Sequence, residues 1–320
     1  MCGKINNVLN NWDIPPDLPI REIDESDGVH YLGHVWFIGD NYVLKKHPNE
    51  ERNNQERNLR ILSALDNQGF TSAPLYTKGG AAFVEISEED SFYTLTRYVP
   101  GKTLTDEEIG GDRMPEYGYK VGQALAKLHL ALVAAEDDLP SNSADPYKRV
   151  VEWAIPKTKK ANHDFGMGLD ESLFDEYIEE FGKLQDKLPR QLIHRDANPD
   201  NIIFNNGEVS GFIDFIISER NMRLWDVCYF LTGLGDSFYD ESEKWLAVIK
   251  GLLNGYNSLN PLTDEEKQSI FYVMCSIQFT CVAYFVGNEK YKRAWEQNRK
   301  LTGFVVKNKD RIIEIGMGVK

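Results

Sequence analysis

Cysteine is scarce: the 320 residues hold four, at Cys2, Cys228, Cys275 and Cys281, with no CxxC pair and no cluster with histidine. That spacing excludes a disulfide scaffold and a thiolate metal centre, and reads as reduced thiols in a cytoplasmic protein. Basic residues are in deficit, with 36 Lys and Arg against 50 Asp and Glu and a formal charge of −14. The densest basic run, Lys157–Lys160, is short, so the expectation is no nucleic-acid partner. Met1–Asn11 lacks the basic start and apolar stretch of a signal peptide. The most apolar window, Ile270–Val286, is interrupted by Ser276, Gln278 and Thr280. It predicts a buried helix rather than a membrane span. There is no internal repeat, no low-complexity segment and no GxGxxG.

What is present is an ordinary globular balance, 42% apolar and 27% charged. The first hundred residues are strand-rich. Gly33–Ile38 and Tyr42–Lys46 flank the turn cluster Gly39-Asp40-Asn41, which predicts a hairpin. In Glu50–Leu65, Leu59, Ile61, Leu62 and Leu65 recur at helical spacing. Ala81–Ile86 and Phe92–Tyr98 are two more strand candidates. After Val99-Pro100-Gly101 the chain turns helical, with segments at 117–132, 172–186, 224–234, 241–258 and 264–285. A β island interrupts it, Asn201–Phe204 and Glu208–Phe215 around the turn Asn205-Asn206-Gly207. The expected class is α+β: a small antiparallel-sheet lobe over 1–98, a Pro-Gly hinge, and a large helical lobe over 99–320.

The chemistry concentrates in Leu192–Phe215, LIHRDANPDNIIFNNGEVSGFIDF. Phosphoryl transfer needs a carboxylate to orient and deprotonate a hydroxyl, and Asp196 suits that role. It also needs hard oxygen ligands for Mg²⁺, which Asn201 and Asp214 supply from the two sides of a hairpin. His-x-Asp, an Asn five residues after the Asp, and a later hydrophobic-Asp-Phe together resemble the protein-kinase-like small-molecule phosphotransferases. That group includes aminoglycoside phosphotransferases, choline kinases and type II homoserine kinases. The resemblance implies a two-lobed kinase-like fold, ATP and magnesium as cofactors, and a small hydroxyl compound as phosphate acceptor.

Further positions follow from the resemblance. Lys45, ending Tyr42-Val43-Leu44-Lys45, looks like the lysine that pairs the α- and β-phosphates. Thr94–Lys102 looks like the hinge, where the Arg97 carbonyl and the Val99 amide would face the base. Leu125–His129 matches the family's LAxLH helix, with His129, like His194, in a structural role. Asp226 resembles a residue that ties its helix to the catalytic loop, although a helix-terminal carboxylate explains it nearly as well. The lysine's usual Glu partner falls on Asn58, so either no ion pair forms or Glu51 or Glu56 supplies it. Gly28 and Gly33 stand where a phosphate-covering loop is expected, and a bare hairpin turn explains them equally well. Only Ile216–Arg223 separates Asp214 from the next helix, and no Ala-Pro-Glu follows. That favours a small molecule over a peptide acceptor. A protein Ser/Thr kinase and a non-catalytic kinase-fold binding protein stay as alternatives.

Overall fold

The computed structural model describes residues 2–23, 34–66, 72–136, 139 and 145–319. Two compact units emerge: Met1–Gly101 with 138–140 and Ser210–Ile217, and Lys102–Asp137 with Ser141–Val209 and Ser218–Lys320. The first carries helix α1 (Cys2–Leu9), strands β1 (Ile20–Glu22), β2 (Val35–Ile38) and β3 (Tyr42–Pro48), helix α2 (Arg52–Leu65), and strands β4 (Val84–Ile86) and β5 (Ser91–Arg97). The sheet order is β1-β2-β3-β5-β4, and its described pairs are antiparallel. The predicted hairpin is β2–β3, closing at Ile38↔Tyr42 with Gly39 at φ +57°.

Alternate residues of a strand share a face. Trp36 pairs with Leu44, and Leu44 with Leu95, so the centre of one sheet face is apolar. Ile5, Val8, Leu9 and Trp12 cover that face, which also includes Ile38 and Tyr93. The Trp12 indole N–H donates to the Leu75 carbonyl at 2.9 Å, pinning the chain just after α1.

The second unit holds α3 (Asp106–Gly110), α4 (Met114–Ala135), α5 (Pro146–Arg149), α6 (Ile155–Phe165), α7 (Ser172–Glu176) and α8 (Gly182–Leu184). Strands β6 (Arg190–Ile193), β7 (Ile202–Asn205), β8 (Glu208–Phe212) and β9 (Glu219–Met222) come next, β8 crossing the boundary between units. Helices α9 (Leu224–Gly233), α10 (Ser242–Asn257), α11 (Asp264–Phe285), α12 (Lys292–Lys307) and α13 (Lys309–Met317) complete it. Single π-type turns at Val150–Ala154 and Tyr177–Phe181 join α5 to α6 and α7 to α8. Strand β6 pairs antiparallel with β9, from Arg190↔Met222 to Ile193↔Glu219.

Helix α11 covers the predicted apolar window. It is long and apolar enough to cross a membrane, but 72% of its most apolar stretch is buried inside the fold.

Helices α4 and α10 pack backbone against backbone through glycines on both partners. A Cβ on Gly122 would sit 2.1 Å from the Leu252 carbonyl oxygen, and one on Gly255 would sit 2.0 Å from that of Tyr119. Gly251 meets the Pro115 oxygen at 2.3 Å in the same way. Neither backbone can yield, so the pair has no room for a methyl group. Gly122→Ala is therefore expected to cost about 1–3 kcal/mol or more, seen as a lower urea midpoint, despite alanine's better helix propensity. An unchanged midpoint would refute the close contact.

Candidate active site

The loop between β6 and β7 is closed by its own side chains. Asn198 caps the short turn Pro199–Asn201, its Oδ1 accepting from the Asp200 N–H at 2.8 Å. Its Nδ2 donates to Asp196 Oδ1 at 3.0 Å. Asn201 Nδ2 donates to the Asp196 carbonyl at 2.8 Å and to its Oδ2 at 3.1 Å. Both asparagines therefore aim donors at one carboxylate. Gly233 lets Pro199 approach α9, since a Cβ there would lie 2.9 Å from the proline ring.

The loop's backbone is held from α9. The fully buried Asp226 accepts from the His194 N–H and the Arg195 N–H, each at 2.8 Å. It also accepts from His129 Nε2 at 3.0 Å. With the ring proton on Nε2, His129 Nδ1 accepts the Tyr256 hydroxyl at 2.8 Å. A buried carboxylate is tolerated only when its lone pairs are filled, and three donors fill these. His194 Nδ1 accepts the Asp196 N–H at 3.3 Å. Both histidines thus orient the loop, as their positions in the sequence implied.

Arg195 sits at φ +76°, in the left-handed region that favours glycine. Its side chain offsets that strain: the guanidinium pairs with Glu219 and lies 4.3 Å from the centre of the Trp225 ring. Asn221 Nδ2 also donates to Glu219, at 2.8 Å.

In the other unit, Lys45 lies on β3 opposite Val35 and Thr94. Among the described residues no carboxylate pairs with it. Asn58 donates to Gln55 at 3.2 Å and leaves its own buried side-chain oxygen without a partner. Glu51 instead lies 3.8 Å from His47. That imidazole is stacked on Phe92 and linked to Thr94 Oγ1 at 2.9 Å. Burial first, then the charges of Lys45 and His34, lowers its pKa to about 3, so it stays neutral beside the lysine. Arg97 ends β5, its N–H donating to the Ala73 carbonyl at 2.8 Å, and Val99 follows, buried. Asp214 follows β8 at φ +66°. Gly28 and Gly33 lie outside the described residues.

Asn201 Oδ1 accepts no hydrogen bond among the described residues. An uncommitted amide oxygen beside a carboxylate is a hard donor set of the kind magnesium takes. No cluster of three or more His, Cys, Asp or Glu stands ready for a metal among the described residues.

Fold and loop together resemble those of the kinase-like phosphotransferases. Residues 29–263 match the model of the phosphotransferase enzyme family (APH), and the chain belongs to that family. The homoserine kinase of Agrobacterium fabrum is 29% identical over 273 residues, 83% of this chain and 79% of that protein. That of Gluconobacter oxydans is 25% identical over 217 residues, 66% of this chain and 64% of that protein. Among solved structures, the amicoumacin kinase hAmiN in complex with AMP-PNP, Ca²⁺ and Ami superposes with a TM-score of 0.67 at 13% identity, covering 94% of this chain and 92% of that one.

The strain at Arg195 gives a stability test. Arg195→Gly loses the Glu219 pair but relieves the left-handed backbone, whereas Arg195→Ala loses the pair and keeps the strain. The glycine variant should be more stable than the alanine variant by about 1 kcal/mol in chemical denaturation. The reverse order would contradict the positive φ.

Proposed function

We propose that this chain is an ATP- and magnesium-dependent kinase that phosphorylates the hydroxyl of a small molecule, with a homoserine-like amino alcohol as the first acceptor to test. The observation that carries the reading is the Asp196 carboxylate, held by Asn198 and Asn201 in a loop whose backbone is clamped by Asp226. The likeness to homoserine kinases supports the choice of acceptor.

In this reading Asp196 takes the proton of the acceptor hydroxyl as that oxygen attacks the γ-phosphorus. Asn201 and Asp214 would hold magnesium, whose charge would offset that of the phosphates. Lys45 pairs the α- and β-phosphates, and the Arg97 carbonyl with the Val99 amide receive the base. Gly28 and Gly33 complete the proposed nucleotide-binding set. Residues 1–98 then serve as the nucleotide-binding lobe, and 99–320 as the lobe of the catalytic loop and acceptor. The unpaired thiols Cys228, Cys275 and Cys281 support a cytoplasmic setting.

A peptide acceptor is disfavoured by how the chain spends the stretch after Asp214. Residues Glu219–Met222 are committed to β9 against β6, and α9 begins at Leu224. Little remains for a peptide platform.

The test is ADP release in Mg²⁺ against homoserine, choline, aminopropanol, an aminoglycoside and a peptide library. Asp196→Asn should lower kcat about 10²–10⁴-fold with ATP affinity retained, and turnover should be confined to small acceptors. Asp214→Ala should instead abolish magnesium-dependent nucleotide binding. ATP binding without Asp196-dependent turnover of any acceptor would point to a non-catalytic binding protein.

A further inference from the structure

Helix α2 is fixed in the first unit by the buried side chains of Leu59, Ile61, Leu62 and Leu65. From that helix Arg57 reaches 159 residues along the chain, its Nη2 donating to the Ile216 carbonyl at 2.7 Å. Ile216 lies two residues after Asp214, and the stretch Ser210–Ile217 belongs to the same compact unit as α2. The bond therefore lies within one unit.

Asp214 needs such support. Its φ of +66° is in the left-handed region, where a residue with a Cβ is strained and persists only when its surroundings over-determine it. Phe212 and Phe215, on either side, are fully buried and fix the chain at two points. The Arg57 bond adds a third, one residue beyond Phe215. Between these anchors Asp214 itself stays exposed, which suits a carboxylate that shares a cation with water.

The arginine is a poor stabilising device. A hydrogen bond from a charged donor and a buried donor left unpaired are similar in size and opposite in sign. Arg57 carries both, since its Nε is buried with no partner among the described residues. Its net contribution to stability is therefore small. What the bond accomplishes is local: it fixes a backbone carbonyl next to the turn at Asp214.

We infer that Arg57 is a positioning residue for divalent-cation binding: by holding the Ile216 carbonyl it keeps Asp214 in its left-handed conformation, with the carboxylate presented to the cation that accompanies the nucleotide. Without the guanidinium the segment relaxes toward ordinary backbone angles, and the carboxylate turns out of line.

The inference rests on the reading of Asp214 as a magnesium ligand, and the experiment separates the two. Arg57→Met keeps most of the side chain's length and removes its donors. AMP-PNP binding is measured by calorimetry in Mg²⁺ and in EDTA. Affinity in Mg²⁺ should fall about 10-fold or more, the scale of one hydrogen bond to a charged group. Affinity in EDTA and the melting temperature should stay near wild type. Arg52→Met removes an equal charge from the same helix, losing the Glu85 pair instead, and should bind like wild type. Unchanged affinity in Mg²⁺ for Arg57→Met overturns the positioning role. So does an equal loss in EDTA, or an equal loss in Arg52→Met.

Hydrogen exchange reads the same bond without nucleotide or metal. The amides of Phe215–Ser218 should exchange faster in Arg57→Met, and unchanged exchange there overturns the inference. Asp214→Ala then tells the two claims apart. If it leaves the Mg²⁺ dependence of binding intact, the metal reading fails and the role of Arg57 with it. If it removes that dependence while Arg57→Met does not, the role of Arg57 alone fails. In the double variant Arg57→Met should add no further loss, and an additive loss also overturns the role.

Discussion

The Asp226 carboxylate accepts from two successive backbone N–H groups of the catalytic loop and from a buried histidine, and the shape of the loop follows from those three bonds. Two adjacent amides can point at one carboxylate only if the chain turns sharply between them, and Arg195 adopts positive φ at that turn. Asp196, the next residue, is thereby presented away from β6 toward the two asparagines. A charge with no exposure to water must be matched by donors, so α4, through His129, and α9 are tied to each other by the same group. The clamp fixes the geometry of the loop because it would be costly to break.

The surrounding helices give the clamp a rigid base. Helix α4 carries His129 and packs through glycine contacts against α10, which carries Tyr256, the hydroxyl partner of His129. Tyr256 in turn accepts from Asn260 at 3.2 Å. The fully buried Glu266 pairs with Arg223, immediately before α9, so that helix is held at its start as well. Close packing of this kind is nearly incompressible and tolerates few alternatives. If Asp196 is the base, as proposed, residues remote from the phosphates decide where it stands.

Much of this was legible in the sequence. The His194–Asn201 spacing, Asp214, the β2–β3 hairpin and the helical second half could be read from periodicity, turn residues and motif. Asp226 was legible only as a resemblance, because a lone Asp near a helix start has a common capping role. Helix α1 was not expected, since its polar composition hides Ile5, Val8, Leu9 and Trp12, which share a face only once the chain coils. The glycine contacts between α4 and α10 were equally hidden: glycine in a helix reads as weakness until the partner backbone is in place. At the place expected for the lysine's Glu partner, the sequence departure is real in the fold too: Asn58 keeps an unpaired oxygen, and Lys45 has no carboxylate among the described residues.

Because the account makes catalysis depend on one buried carboxylate that touches no substrate, the most direct test removes its charge and keeps its shape. In Asp226→Asn the amide offers one acceptor oxygen to the loop and sets an N–H against another N–H. Single-turnover phosphoryl transfer, measured beside ATP affinity in Mg²⁺, should slow by about 10²-fold, as expected for a base displaced by about an ångström, with nucleotide affinity unchanged. A variant that folds, binds ATP and transfers phosphate at the wild-type rate would contradict the account.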